Sequence, residues 1–229
     1  MKLIKKHKWT LLVSSIVILL PIIFGVVSWN KLPAQMATHW GVGGETDGWT
    51  PRALAVFLLP CLLLAVHWIC VLISVLDKGS AKQTDKAFKI VLWIIPVLSV
   101  YVNAIMYATA FGMKLNMNIL ITVLLGAGLS IIGNYLPKFS RNRTMGIKIY
   151  WTLRNDENWN ATHRFAGKLW VAGGIVLLLA AFVPSVAIPY IAIAVMLCMV
   201  IIPIIYSYAF YRKQLQSKKA TKEDYKSGK

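Results

Sequence analysis

Residues 53–76 read ALAVFLLPCLLLAVHWICVLISVL, twenty-four residues without one Asp, Glu, Lys or Arg. About 20 apolar residues in a helix suffice to cross the ~30 Å hydrocarbon core of a bilayer. The whole chain fits that reading, because 58% of its 229 residues are apolar and only 14% are charged. A soluble domain carries about a quarter charged residues. Five further runs have the same character, at about 9–29, 90–111, 117–136, 169–186 and 187–211. The expected fold class is therefore all-α, a polytopic membrane protein built as a bundle of six transmembrane helices. The fifth and sixth runs are parted only by the Pro184–Pro189 region and should form a tight helical hairpin. The first run follows MKLIKKHK and imitates a secretory signal. It exceeds a usual signal core and no small-residue cleavage site closes it, so it is read as a retained span.

The net charge of +17 could suggest a nucleic-acid partner, but its distribution points to membrane topology instead. With both termini in the cytoplasm, 22 of the 25 Lys and Arg residues fall on the inner side. Only Lys31, Arg52 and Lys114 remain outside. That asymmetry is the positive-inside pattern of bacterial membrane proteins, so no nucleic acid is expected as a partner. The organisation expected is a three-span region over 1–116 with an outer loop at 30–52, then a second three-span region over 117–213 with an inner loop at 137–168. A basic tail, 214–229, should be disordered or lie on the anionic inner leaflet. Cys61, Cys70 and Cys198 lie in apolar runs without ligand spacing and are read as small core residues. His67 and Asn103 are the main polar groups within spans, and a helix–helix hydrogen bond is the plain reading of His67. Pro60, Pro96 and Pro203 could each kink a span.

The outer loop, NKLPAQMATHWGVGGETDGWTPR over 30–52, is rich in Gly and Pro and should be a folded turn assembly, not a helix. Trp40 and Trp49 suit the headgroup level, as aromatic belts do. His39, Glu45 and Asp47 are its His and acids. They either tie the loop to itself, meet an external ligand, or form a weak candidate set for a divalent metal.

The inner segment Gly133–Lys168 reads GNYLPKFSRNRTMGIKIYWTLRNDENWNATHRFAGK and carries seven Lys or Arg. It is far longer than a connector needs to be. Asn134 lies at the end of a span, where an unpaired amide is costly and a partner is expected. Gly133 permits close approach of a neighbouring backbone. Residues 147–154 alternate between apolar and polar, as a strand or a short amphipathic stretch would. Trp159, His163 and Arg164 fall on roughly one side of a helix running into the fifth span, and Asn155 or Asp156 could cap it. His163 with Asp156 and Glu157 has no nucleophile or metal spacing behind it. The segment is either a partner platform of Trp faces and Arg donors or an interfacial anchor to anionic lipid.

Two resemblances attach to these residues. Leu32-Pro33, Thr38-His39-Trp40, Gly44, Asp47-Gly48-Trp49 and Pro51 resemble a bacterial family of unknown function with an LP…HW…G…D-x-W loop between its first two spans. Gly133-Asn134, Asn142, Gly146-Ile147, Trp151-Thr152-Leu153, Trp159 and His163-Arg164 resemble the signature of the Sdp immunity protein family, bacterial membrane proteins that protect a cell from its own peptide toxin. The resemblance implies residence in the bacterial cytoplasmic membrane and no enzymatic activity or cofactor. It implies a peptide toxin as partner, contacted from outside by His39, Trp40, Glu45, Asp47 and Trp49. It also allows a cytoplasmic repressor-type protein held at the motif Asn134, Asn142, Gly146, Trp151, Thr152, Trp159, His163 and Arg164. Two alternatives stay open: a small transporter or ion-conducting protein using His67 and Asn103, and a membrane-embedded metal-dependent enzyme using the outer loop.

Overall fold

The computed structural model describes residues 2–77 and 85–226. Lys78, Lys82 and Lys229 of the basic count lie outside them. Six helices are long and apolar enough to cross a membrane. They are α2 (Lys8–Val27), α3 (Arg52–Leu76), α4 (Asp85–Ala110), α5 (Met117–Tyr135), α7 (Asp156–Ala180) and α8 (Ile188–Lys226). Two single-turn helices, α1 (Lys2–Lys6) and α6 (Tyr150–Arg154), complete the helical set, and strands β1 (Gln35–Trp40) and β2 (Thr46–Pro51) form an antiparallel hairpin.

The six expected spans are present, but two boundaries differ. The apolar run from 169 is entered by a helix that begins at Asp156 behind the expected cap at Asn155, and its first turns are polar yet helical. It ends at Ala180, and a turn with a short 3-10 segment at Ser185–Ala187 leads into α8. The sixth helix does not stop at the membrane border. It continues through Lys226, so the tail expected to be disordered or flat on the leaflet is helical up to that residue. Its Lys, Gln, Ala and Glu residues are strong helix formers, and Gln214 is tied to Asn155 and Glu157. The cysteines depart from expectation too. Cys61, Cys70 and Cys198 are exposed on their helices rather than in the core.

The described contacts form two compact units, Met1–Ile121 with Pro184–Pro189, and Thr122–Val183 with Tyr190–Lys229. In the first, α2 packs on α3 and α4. Polar side chains join these helices where lipid offers no partner. Ser14 Oγ lies 3.1 Å from His67 Nε2. Ser99 Oγ donates to Ile18 O at 2.9 Å, and Tyr107 Oη donates to Pro21 O at 2.8 Å. His67 is thus the helix–helix bond its position suggested. Asn103 Nδ2 donates to Ser99 O at 2.8 Å within its own helix. The end of this core beside the hairpin gathers Leu32, Met36, Ala55, Val56, Met106 and Tyr107, so the hairpin is seated by Met36 and not by its aromatic residues.

In the second unit, α5 and α7 run antiparallel at backbone contact. A Cβ on Gly133 would lie 2.9 Å from Gly167 O and 2.8 Å from Val171 N. A Cβ on Gly126 would lie 2.8 Å from Gly174 O. The two glycines on each helix are seven residues apart, so each helix presents one smooth seam to the other. Lipid chains are as apolar as leucine, and close fit of this kind must supply the association energy. Gly133→Ala is expected to lower stability by roughly 1–3 kcal/mol through overpacking against backbone that cannot retreat. Thermal unfolding in detergent measures it, and an unchanged midpoint would contradict the contact.

Candidate functional site

The segment between α5 and α7 folds around two buried rings. Trp159 is fully buried and His163 is 1% exposed. They stack at 4.0 Å between centroids, tilted by 21°. Their spacing of four residues puts one above the other on a helix. Each ring then reaches back to the loop before α6. Trp159 Nε1 donates to Phe139 O at 2.8 Å, and the Ile147 N–H donates to His163 Nε2 at 2.9 Å. His163 Nδ1 lies 2.8 Å from Trp159 O. Since Nε2 accepts, the proton sits on Nδ1 and the imidazole is neutral. With both ring nitrogens occupied by backbone groups, His163 serves as a structural clamp.

Gly146 sits directly over this pair with φ +103°. A side chain there would be strained, and its Cβ would collide with His163 Nε2 and lie 3.1 Å from the Trp159 ring. Asn142 organises the preceding turn. Its Oδ1 accepts from the N–H groups of Thr144 at 2.7 Å and Met145 at 2.6 Å, while Nδ2 donates to Ser140 O and Met145 O. The buried Thr152 hydroxyl accepts from the Ile149 N–H at 3.1 Å and lies within donating distance of Ile147 O and Ile149 O. Ile149 is extended, residues 147–149 belong to no helix or strand, and 150–154 are one helical turn. The alternation seen in the sequence is neither a paired strand nor one continuous amphipathic stretch.

Asn155 caps α7 by accepting from the N–H groups of Glu157 and Asn158, as expected. Arg141 Nε pairs with Asp156 Oδ1 at 2.7 Å and Arg141 Nη1 donates to Leu153 O. The pair is largely exposed and contributes little by itself. Asp156 and Glu157 are thus engaged away from His163, and no acid–base pair forms. Trp151 stacks on Tyr211 at 6.0 Å and meets Tyr208 at 5.4 Å, while its buried Nε1 has no acceptor among the described residues.

Two expectations fail here. Arg164 does not share the side of Trp159 and His163. It is exposed on a different face, because 100° per residue separates it from its neighbour. Asn134 has no hydrogen-bond partner among the described residues, and its side chain is not covered by them. One residue went unnoticed in the sequence. Asn158 is fully buried, donates to Ser207 O at 2.9 Å and accepts from Ser207 Oγ at 2.5 Å and Thr162 Oγ1 at 3.0 Å. Asn155, Asn158 and Thr162 recur at i, i+3 and i+7, which is a legible polar stripe once the helix is known to start at 156.

The hairpin presents a different surface. Ala37 pairs with Trp49 and His39 with Gly48, with a bulge between. Its turn closes through the Gly41 N–H to Glu45 O at 2.8 Å, with Gly44 at φ +86°. His39 Nδ1 and Asp47 Oδ1 approach to 2.5 Å. Glu45 does not join them, and among the described residues no three His, Cys, Asp or Glu side chains converge as a metal would need. Trp49 is 61% exposed and Trp40 half-buried. Arg52, counted in the sequence only as an outer charge, anchors the hairpin base. Its Nη1 donates to Trp29 O at 2.6 Å and Leu32 O at 3.0 Å, and its guanidinium lies 4.4 Å from the Trp29 ring centroid.

Residues 138–207 match the SdpI/YfhL protein family, and residues 16–64 match a domain of unknown function, DUF1648. The chain is 23% identical over 208 residues to the immunity protein SdpI of Bacillus subtilis (strain 168), covering 88% of this chain and 96% of that one. No solved structure matches it. The first match contains the Trp159–His163 clamp, Asn142, Gly146, Thr152 and Asn158, and the second contains the hairpin. The chain is therefore a multi-pass bacterial cell-membrane protein that is similar to the SdpI/YfhL protein family over residues 138–207 and to DUF1648 over the residues before them.

Proposed function

We propose that this protein is an integral-membrane immunity protein that protects a bacterium from a secreted, membrane-active antimicrobial peptide by stoichiometric binding. The observation that carries the reading is the likeness to an immunity protein over nearly the full length of both chains. Both termini lie in the cytoplasm on this reading, as the basic-residue asymmetry supports. The hairpin then faces outward. His39, Glu45, Asp47 and Trp49 are exposed on it and, with Trp40 beside them, form the surface offered to the toxin.

The other motif works differently. Asn142, Gly146, Thr152, Trp159 and His163 are bonded to backbone or packed beneath it, so their part is to shape the inner segment. A cytoplasmic regulator would have to meet the exposed residues this shape presents. The rival readings have less support. His67 is tied to Ser14 and Asn103 to Ser99, and among the described residues no third ligand joins the His39–Asp47 pair.

The test is expression in a sensitive bacterium, challenge with a panel of membrane-active peptides, and a potential-sensitive dye. Protection against one peptide class is expected. Joint alanine replacement of Trp40, Glu45, Asp47 and Trp49 should remove it while protein in the membrane stays constant. Protection that survives this replacement would refute the outer contact surface, and protection against no peptide would refute immunity.

A further inference from the structure

One face of α7 carries Glu157, Asn160, Arg164 and Lys168, spaced so that all lie along the same side of the helix. Together with Phe165 of α7 and Tyr206 and Phe210 of α8, they line an open groove of about 570 Å³. The Phe165 and Tyr206 rings stack at 4.3 Å and 10°, and Phe210 continues the aromatic wall at 6.5 Å from Tyr206.

The two cations are uncompensated. Arg164 and Lys168 are exposed, and neither has a hydrogen bond or ion pair with any described residue. The acid of the groove, Glu157, accepts from Gln214 Nε2 at 2.6 Å two turns from Arg164 and keeps its charge, so two cations face one acid and the groove stays positive. The groove's place along the helices is also specific. Lys168 directly precedes the apolar run of α7 that begins at Leu169, and Phe210 closes the apolar run of α8 just before Arg212 and Lys213. Lys168 therefore stands at the border of the bilayer, and Arg164 and the three rings stand beside it on the polar side.

We propose that this groove holds the headgroup and upper chains of one anionic phospholipid of the surrounding membrane. The phosphodiester lies between the Arg164 guanidinium and the Lys168 ammonium, where an arginine fork gives directional bonds and a lysine a point charge. The three rings flank the headgroup, and the first carbons of the acyl chains run past Lys168 along the apolar run that begins at Leu169. The glycerol hydroxyls of a phosphatidylglycerol headgroup extend toward Asn160. A zwitterionic choline headgroup would bring a third cation to a site already positive. The site needs only that α7 and α8 cross the bilayer, and it is independent of toxin protection.

The full chain, purified in mild detergent, would be analysed by native mass spectrometry for retained lipid. It would then be titrated with phosphatidylglycerol and with phosphatidylcholine. One anionic phospholipid per chain is expected to be retained. At about one kcal/mol per basic residue near a membrane surface, Arg164→Gln with Lys168→Gln should weaken phosphatidylglycerol binding by about thirtyfold. Lys213→Gln with Lys218→Gln removes equal charge outside the groove and should leave binding within about threefold. Thermal unfolding of both pairs should be unchanged, since all four side chains are exposed. Equal retention in the groove variant would overturn the proposal, as would equal affinity for phosphatidylcholine. Displacement by millimolar inorganic phosphate alone would mark a simple anion site and also overturn it. So would an acidic cytoplasmic protein that is lost from the groove variant while lipid binding persists.

Discussion

Gly146→Ala is expected to be the most damaging single methyl that can be added to the inner segment. Two independent costs meet there. An alanine at φ +103° is strained by roughly 1–3 kcal/mol. Its Cβ would also strike His163 Nε2 and press on the Trp159 ring, in a site where neither ring can move without losing a bond to backbone. Displacing His163 frees the Ile147 N–H, and a buried donor left unpaired costs about 1–3 kcal/mol. The expected total is roughly 3–5 kcal/mol, and a loss of immunity follows with it. Thermal unfolding followed by tryptophan fluorescence measures the first, because Trp159 sits under the substituted residue. His163→Ala in the same background removes the collision but keeps the strain and the orphaned N–H. The double variant should therefore recover part of the loss and never all of it. Wild-type stability in Gly146→Ala would mean that the loop does not lie over the ring pair.

Asn158→Leu is the second. Leucine keeps the approximate volume and removes both functions of the amide. Ser207 Oγ and Thr162 Oγ1 lose their shared acceptor, and Ser207 O loses a donor. The hydroxyls have a fallback in their own helix, since Ser and Thr can bond the carbonyl four residues back. The expected cost is therefore roughly 2–4 kcal/mol rather than the full sum of three unpaired groups. A double-mutant cycle separates the contact from mere volume change. Ser207→Ala alone should be mild, and in the Asn158→Leu background it should cost almost nothing, giving a coupling of about 1 kcal/mol or more. A coupling of zero would show that α7 and α8 are not joined through this amide. Because all three side chains lie within one unit of the chain, the result does not depend on the surface proposed to meet a toxin.

Much of this molecule was legible in its residues because the bilayer imposes a simple rule. Uncharged runs about 20 residues long must be helices when no water is present to satisfy their backbone. The six spans follow from that rule alone, and most boundaries fall within a few residues. The helix start at 156 was signalled by the cap at Asn155 or Asp156 and not by the apolar run from 169, because hydropathy marks where a helix enters lipid, not where it begins. Asn155 and the helix-compatible turns after it decide the latter. The tail was missed because charge argues against burial but not against helix.

Residue types also announced the local chemistry. Asn155 was a cap candidate and caps α7, and Gly133 was expected to permit a close backbone approach and meets Gly167 O. Sequence could not say which way each side chain faced. Asn134 looked obliged to find a partner and is exposed, while Asn158 attracted no notice and is fully buried. Trp159, His163 and Arg164 looked like one surface and are two, a buried clamp and an open groove. By itself the sequence determined membrane residence, the number of spans and the positions of the motifs, because these depend on composition along one dimension. Only the tertiary structure decided which motif residues are structural and which are free to bind. That depends on the rotation of α7 against α8 and on the fold of the loop over it, and both are fixed by packing between residues distant in the chain.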